Sequence, residues 1–314
     1  FWRKAEDGMS WIFRRWRRAT LDHPQVQPMQ QSASAAAAGS RPYIFGESES
    51  EISRLDFQHY MFRWEFGGDY LTPLDAPLNV LDVACGTGRW ARDLARQFPQ
   101  ATVIGFDINQ QQLEMSLAQG AQAGTDYLPE NCTFLTGNAL EPFSFPDGSF
   151  DLVMARATSS FIPVSQWPTV ISHMTRVCRP GGWVELRDFG LVHSPHSALN
   201  ELTVKFANLA AARGIYPGAG PYLGDYLRAA GLRNVQVRQA AVRSGGPQRA
   251  TRGGRLMLAD YLALLDRVTP AIAQANIEQP ERWRYLLAQA RNETALHPDV
   301  CYAEVELTAA IGQR

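Results

Sequence analysis

The 314-residue chain predicts an α/β protein built on a doubly wound, mostly parallel sheet of seven strands. Three observations carry that expectation. Between residues 79 and 190 short apolar runs alternate with segments of helical period. The first run leads through a cluster of small residues, "ACGTG" (84–88), into a helical pattern. An acid or an amide stands at or beside the end of each of the first three runs: Asp82, Asp107 and Asn138. Strand, helix and strand in repetition give parallel strands joined by right-handed crossovers. Strands covered by helices on both faces read as near-continuous apolar runs, as these do.

Taken in order, the expected strands are "NVLDVA" (79–84), "TVIGFD" (102–107), "CTFLTGN" (132–138), "FDLVMARA" (150–157) and "WVELRDFG" (183–190). The expected helices between them are "RWARDLARQF" (89–98), "QQQLEMSLAQGAQA" (110–123) and "WPTVISHMTRVC" (167–178), each with apolar positions recurring at three and four. After residue 190 the rhythm changes. A helical stretch (198–213) leads to "GDYLRAAGL" (224–232), then a strand, "NVQVRQAAV" (234–242), and a Gly/Arg-rich loop (243–255). Two helices follow. Met257, Tyr261, Leu264, Leu265 and Val268 share a face of the first, and Pro280 suits the first position of the second. The strand-like "YAEVELTAAIG" (302–312) completes the count of seven.

Upstream, Ser48 and Glu51 have capping-box spacing, and Ile52, Leu55, His59, Phe62, Phe66 and Tyr70 recur at helical steps until Gly67, Gly68 and Pro73. Before that helix, "WIFRRWRRA" (11–19) mixes aromatics with arginines, and an Ala/Ser/Gln-rich stretch (28–42) is linker-like. The organisation is therefore an extension and linker (1–42), a lid helix (43–78), an α/β core (79–190) and substrate-side helices with the late strands (191–314).

Composition narrows the function. Thirty basic and 31 acidic residues leave a net charge of −1, so no bulk electrostatic case exists for a nucleic-acid partner. The four cysteines form no C-x-x-C pair, which argues against a zinc site or a disulfide framework and fits a reducing cytosol. No metal site is expected. No apolar run approaches membrane-spanning length and no signal-peptide core is seen, so the expected location is cytoplasmic.

Gly86-x-Gly88-x-x-Ala91, with Asp107 21 residues after Gly86, fits a dinucleotide fingerprint, but Asp82 separates two readings. A carboxylate at the end of the first strand repels a diphosphate, which needs bare N–H groups at a helix start. It welcomes a ligand carrying an ammonium or sulfonium. Asp107 is placed for ribose hydroxyls, and Asn138, with the backbone of Ala139 and Leu140, for an adenine edge. Adenine, ribose and a cationic amino-acid tail together describe S-adenosylmethionine.

"VLDVACGTGRWARDLA", "VIGFDIN", "GNALEPFSFPDGSFDLVMARA" and "RVCRPGGWVELRDF" together resemble the class I S-adenosylmethionine-dependent methyltransferases, motif after motif and in order. The upstream "YIFGESESEISRLDFQHYMFRWEFGG" resembles the helix before the core in natural-product methyltransferases of the secondary-metabolism-regulator type. The resemblance implies a Rossmann-like methyltransferase fold with an antiparallel last strand and helical lid insertions. It implies S-adenosyl-L-methionine as cofactor and S-adenosyl-L-homocysteine as product. By it, Asp82, Gly86 and Gly88 line the methionine end, Asp107 the ribose, Asn138 with Ala139 the adenine, while Ala155 and Arg156 flank the sulfonium. Tyr43, Thr87, Trp90, Ile108 and Leu140 complete the expected cofactor set. Two positions depart from the family pattern: Ala84 replaces its usual first glycine, and Asn138 a frequent aspartate.

For the acceptor, His193 and His59 are the expected bases, because their elements border the ligand edge of the sheet. Arg187 and Asp188 end the fifth strand there, and Tyr60 and Arg63 are expected to close the site from above. The aromatics Phe161, Trp167, Phe189, Tyr216 and Tyr222 are where an apolar acceptor would dock. "ARATSSF" (155–161) after the fourth strand lacks the Asn/Asp-Pro-Pro-Tyr of base amino-methylation. The expected partner is thus a small, apolar metabolite, methylated on O, N or C, beneath a lid from 43–70, 191–222 and 253–298; a homodimer is left open. Two rival readings stand beside it: a cofactor-binding regulatory protein of weak turnover, and an NAD(P)-dependent oxidoreductase.

Overall fold

A computed structural model of the chain describes residues 49–122 and 127–314. The extension, Tyr43 and the cap at Ser48 lie outside the described residues. Among the described residues seven strands are found: β1 (Asn79–Val83), β2 (Thr102–Asp107), β3 (Cys132–Thr136), β4 (Phe150–Arg156), β5 (Cys178–Phe189), β6 (Arg233–Arg243) and β7 (Glu304–Gln313). Their order is β3-β2-β1-β4-β5-β7-β6. β1 to β5 pair in parallel, and β7 runs antiparallel between β5 and β6. The strand order reverses between β1 and β4, and a crevice opens at such a switch point beyond the carboxyl ends of the strands.

The helices are α1 (Glu49–Phe66), α2 (Arg89–Gln97), α3 (Gln110–Gln122), α4 (Trp167–Val177), α5 (Ser197–Ala211), α6 (Leu223–Ala229), α7 (Gly254–Arg267), α8 (Thr269–Gln274) and α9 (Pro280–Leu296). α1 ends at Gly67, whose φ of 74° is left-handed, with the Gly68 N–H returning to the Arg63 carbonyl at 3.0 Å. Two elements differ from expectation. β5 starts at Cys178 rather than residue 183, because Cys178 already pairs with Phe150 of β4; "RPGG" (179–182) is a bulge within the strand, and pairing resumes between Trp183 and Leu152. The segment 254–296 holds three helices, the extra one carrying a proline in its first turn, where no N–H is needed.

Strand residues alternate between two cores. Leu81, Val83, Val153 and Ala155 pack with Trp167, Ile171 and Met174 of α4 and Leu227 of α6. Val80, Leu152 and Met154 face the other way, onto Trp90, Ala91 and Leu94 of α2. A third core is mainly helical. Met61, Phe62 and Phe66 of α1 meet α5, α7, α8, α9 and Val305, Leu307 and Ala309 of β7. This third assembly is what stands over the carboxyl ends of the central strands.

The turn after β1 is fixed by close packing. Phe134 of β3 lies across Gly105 of β2 and reaches Gly88, where an added Cβ would come within 2.4 Å of its ring at a φ of 69°. Gly88→Ala combines overpacking with a left-handed alanine and is expected to cost about 2–4 kcal/mol. A urea titration of the variant checks this; an unchanged midpoint would show that Phe134 does not hold the turn.

Candidate active site

Beyond β1 and β4 lies a cavity of about 870 Å³. Its walls come from the turns after β1 to β5 and from α1, α5 and α7. Of the residues expected at a cofactor, Asp82, Ala84, Gly86, Thr87, Asp107, Ile108, Asn138, Ala139, Leu140 and Arg156 all line it. Gly88, Trp90 and Ala155 do not. Gly88 starts α2 behind the wall, Ala155 is 1% exposed in the apolar core, and Trp90 is buried under Arg156. The Trp90 indole donates to the Asp69 carbonyl at 2.8 Å.

The glycine turn is organised from three sides. Asp107 accepts the Gly86 N–H (2.8 Å) and the Asn109 N–H (2.8 Å), so its carboxylate shapes the loop and still has lone pairs for a hydroxyl. Thr87 donates its hydroxyl to Asp56 of α1 at 2.8 Å, and buried Arg92 donates to the Thr87 carbonyl at 2.7 Å. Ala84 occupies left-handed backbone (φ 55°), the conformation for which glycine is the usual residue. The expected family departure is therefore an alanine held in glycine geometry. Asn138 accepts the Leu140 N–H at 3.0 Å and donates to Glu141 at 3.2 Å, which leaves a lone pair on its Oδ1.

Asp82 is 1% exposed, and its Oδ2 has no hydrogen-bond partner among the described residues. Burial raises its pKa to about 7, opposed by the charge of Arg156 and reinforced by Asp107. A buried carboxylate with an empty acceptor at a cavity wall is fitted to a cation. The turn after β4 is built by a second acid. Asp188 accepts the N–H groups of Thr158 and Ser159 (2.7 Å each), the Ser159 hydroxyl (2.6 Å) and its neighbour's N–H, and burial pushes its pKa up to about 6.

The two expected bases part company. His193 is exposed and absent from the cavity wall, because its backbone pairs with Glu304 at the start of β7 in both directions (2.7 and 2.8 Å). His59 does reach the wall, but both ring nitrogens are engaged. Nε2 meets Asp93 at 3.1 Å and Nδ1 meets the Arg156 guanidinium at 3.1 Å. Burial lowers its pKa to about 4, with Arg156 and Arg89 adding to that effect against Asp93. The ring is neutral at physiological pH and has no lone pair left for a substrate proton.

Of the expected docking aromatics, Phe161 and Phe189 line the cavity. Trp167 instead stacks on Tyr226 in the core, and Tyr216 and Tyr222 face each other outside the wall. Tyr60 stacks against Trp64, and Arg63 pairs with Asp69 at 3.4 Å; neither lines the cavity. Met61, Phe206, Met257, Tyr261 and Leu264, none of them expected at the cavity wall, make its far half apolar. The shared face of Met257, Tyr261 and Leu264 was legible; what it faces depends on distant packing.

Behind the wall, Glu185 and Arg187 of β5 form a buried pair at 2.8 Å. Glu185 also accepts from the Leu71 and Thr72 N–H groups (2.8 and 3.3 Å), and Arg187 donates to the Gly68 carbonyl at 3.0 Å. The pair thus stitches the segment after α1 to the sheet. No group of three or more potential metal ligands clusters among the described residues, and no described helix is long and apolar enough to cross a membrane.

The strand order, with an antiparallel β7 between β5 and β6, is that of the doubly wound methyltransferase fold, and the cavity lies at its switch point. A family model described as a methyltransferase domain matches residues 80–182. Methyltransferase str3 of Strobilurus tenacellus is 33% identical over 162 residues, 51% of this chain and 53% of that protein. Methyltransferase str2 of the same fungus is 30% identical over 216 residues, 66% of this chain and 72% of that protein. The secondary metabolism regulator laeA of Aspergillus fumigatus is 30% identical over 173 residues, 52% of this chain and 41% of that protein. The chain therefore spans about half the length of the first of these relatives and less of the regulator. It belongs to the class I S-adenosylmethionine-dependent methyltransferases and is similar to fungal methyltransferases and to the secondary metabolism regulator laeA.

Glu185→Ala leaves Arg187 buried without its counter-charge and frees two N–H groups. A loss of about 3–5 kcal/mol is expected. Denaturant unfolding at neutral pH measures it, and a change within 1 kcal/mol would show the pair to be dispensable.

Proposed function

We propose that the protein transfers a methyl group from S-adenosylmethionine to a small, largely apolar acceptor of secondary metabolism. One observation carries the reading: a buried carboxylate with an empty acceptor, Asp82, sits where a glycine turn and an apolar chamber share one cavity. The residues suit the cofactor. Gly86 and its left-handed neighbours allow close approach of a ligand to backbone, Asp107 and Asn138 keep free lone pairs for hydroxyl and amino groups, and Asp82 favours positive charge. A volume of 870 Å³ lies in the upper part of the ligand-site range of roughly 300–1,000 Å³, consistent with a cofactor and an acceptor side by side.

When bound, S-adenosylmethionine supplies a methyl group already activated by its sulfonium. The chain's task is then to align an acceptor at near-attack distance and to keep water out. Met61, Phe62, Phe206, Met257 and Leu264 offer the acceptor an apolar seat. With His59 engaged at both nitrogens and His193 off the wall, the acceptor best suited is one that is nucleophilic without a histidine base. An amine or an acidic hydroxyl meets that need. The same lack of a free histidine, with the similarity to the laeA regulator, supports a second reading: a cofactor-binding regulatory protein with weak turnover. Mass spectrometry after incubation with S-adenosylmethionine and a panel of apolar amines and phenols separates the two. A product 14 mass units heavier supports transfer (one CH₂ added); cofactor binding with no product across the panel supports regulation.

Calorimetry with S-adenosylhomocysteine tests the cofactor directly. Asp107→Asn is expected to weaken binding by about 1–3 kcal/mol through loss of a charged partner. Binding of NAD in place of the nucleoside would overturn the reading.

A pH dependence follows from Asp82. With its pKa raised to about 7, the free protein holds that proton at lower pH, and a cationic ligand has to displace it. Affinity for S-adenosylmethionine is expected to rise by up to about tenfold per pH unit toward pH 7 and to level off above it. Titrations between pH 5.5 and 8.5 in buffers of different ionisation enthalpy read the released proton; Asp82→Asn should flatten the curve.

A further inference from the structure

Asp82 and Arg156 stand on one face of the sheet, on neighbouring strands. Asp82 is paired in register with Met154, and Arg156 lies two residues further along β4, so both side chains leave the sheet on the same side. Both line the cavity. Neighbouring strands are only about 4.8 Å apart, so opposite charges so placed would ordinarily close on each other. Here they do not: among the described residues no hydrogen bond or ion pair joins them. Asp82 keeps Oδ2 without a partner and Arg156 keeps Nε without one.

Arg156 is held away by its surroundings. Its guanidinium lies over the Trp90 ring at 5.4 Å and donates through Nη1 to His59 Nδ1 at 3.1 Å. His59 accepts there only because its other nitrogen carries the proton, and Asp93, 3.1 Å from Nε2, fixes that tautomer. Asp93 is itself held as an anion by Arg96 at 2.9 Å and Arg89 at 3.3 Å. A chain of four groups thus sets the position of one buried guanidinium.

A guanidinium is poorly suited to a sulfonium, since like charges repel in a site of low dielectric. The resemblance placed Arg156 beside the sulfonium; its electrostatics favour the carboxylate end of the amino-acid tail instead. We propose that Asp82 and Arg156 together read the zwitterionic amino-acid tail of the cofactor, Asp82 taking the α-ammonium and Arg156 the α-carboxylate, with His59 as the positioning residue that aims Arg156. A planar fork with charge-assisted donors is the side chain suited to a carboxylate. The gap between the two side chains is then the seat of a group that carries both charges on one carbon. This inference rests on the cofactor reading above.

The test compares S-adenosylmethionine with its decarboxylated analogue, which keeps adenine, ribose and sulfonium and lacks only the carboxylate. Dissociation constants are measured by calorimetry for the unaltered protein and for Arg156→Gln, Arg156→Lys, His59→Leu and His59→Asn, with circular dichroism and thermal melting to confirm folding. The unaltered protein is expected to prefer the carboxylated ligand by at least about tenfold, the size of one charge-assisted contact. Arg156→Gln is expected to bring that preference to within threefold by weakening S-adenosylmethionine alone. Arg156→Lys, which keeps the charge without the fork, is expected to retain part of it and serves if the Gln variant does not fold. His59→Leu is expected to lower the preference; His59→Asn, which keeps an acceptor near the Nδ1 position, is expected to restore part of it. A preference near one in the unaltered protein, or one undiminished in Arg156→Gln, overturns the proposal while leaving the cofactor reading intact. If the unaltered protein binds neither ligand, the cofactor reading fails and this proposal with it.

Discussion

The structure depends on keeping four ionisable side chains inside it. Asp82, Arg156, Glu185 and Arg187 project from one face of β1, β4 and β5, where register aligns Asp82 with Met154 and Glu185, and Arg156 with Arg187. Moving such groups out of water costs several kcal/mol each unless partners are supplied. For three of the four the partners come from the segment upstream of the core: His59 for Arg156, the Gly68 carbonyl for Arg187, and the Leu71 and Thr72 N–H groups for Glu185; Asp82 keeps an open acceptor. α1 and the turn behind it are therefore not an appendage. They complete the sheet's own electrostatics, and in doing so they roof the cavity.

That arrangement ties site to scaffold. Asp107 and Asp188 each spend their oxygens on backbone N–H groups of the turns that form the cavity wall. Rigid strands set the acids, the acids set the turns, and the turns set the cavity. The opposite wall follows other rules, since Met61, Phe206, Met257 and Tyr261 belong to a helical core that touches the sheet chiefly through β7. One half of the cavity is polar and fixed by strand register; the other is apolar and fixed by helix packing. A cofactor on the polar side and an acceptor on the apolar side would suit such a division.

Much of this was legible in the sequence, and for local reasons. The seven strands, the crossovers, the glycine turn and the acids at the strand ends are written in runs of a few residues, so period and punctuation found them. The late helices were less legible: the short α8 is set off by Pro270, and "RPGG" resembles a turn while the structure carries it as a bulge inside β5, between two residues paired to β4. The harder failures are long-range. His193 follows a strand at the correct edge, yet a bridge to Glu304, more than a hundred residues away, carries it off the wall. His59 lies on the expected seam, but its partners Asp93 and Arg156 come from two different elements, and only their meeting removes its basicity. Glu185 and Arg187 in a strand would suggest an exposed face; their burial becomes intelligible only with the 67–72 turn in place.

The rim of the cavity carries one more implication. Ala84 after β1 and Ala157 after β4 both lie on the cavity wall in left-handed backbone, at φ of 55° and 52°. An alanine in that region occupies a narrow well, where a glycine would wander among several. The two hinge-like places of the mouth are thus stiffened, and the sheet side of the opening keeps its contour whether filled or empty. Any widening of the mouth then falls to α1, α5 and α7, the helices that make the opposite wall.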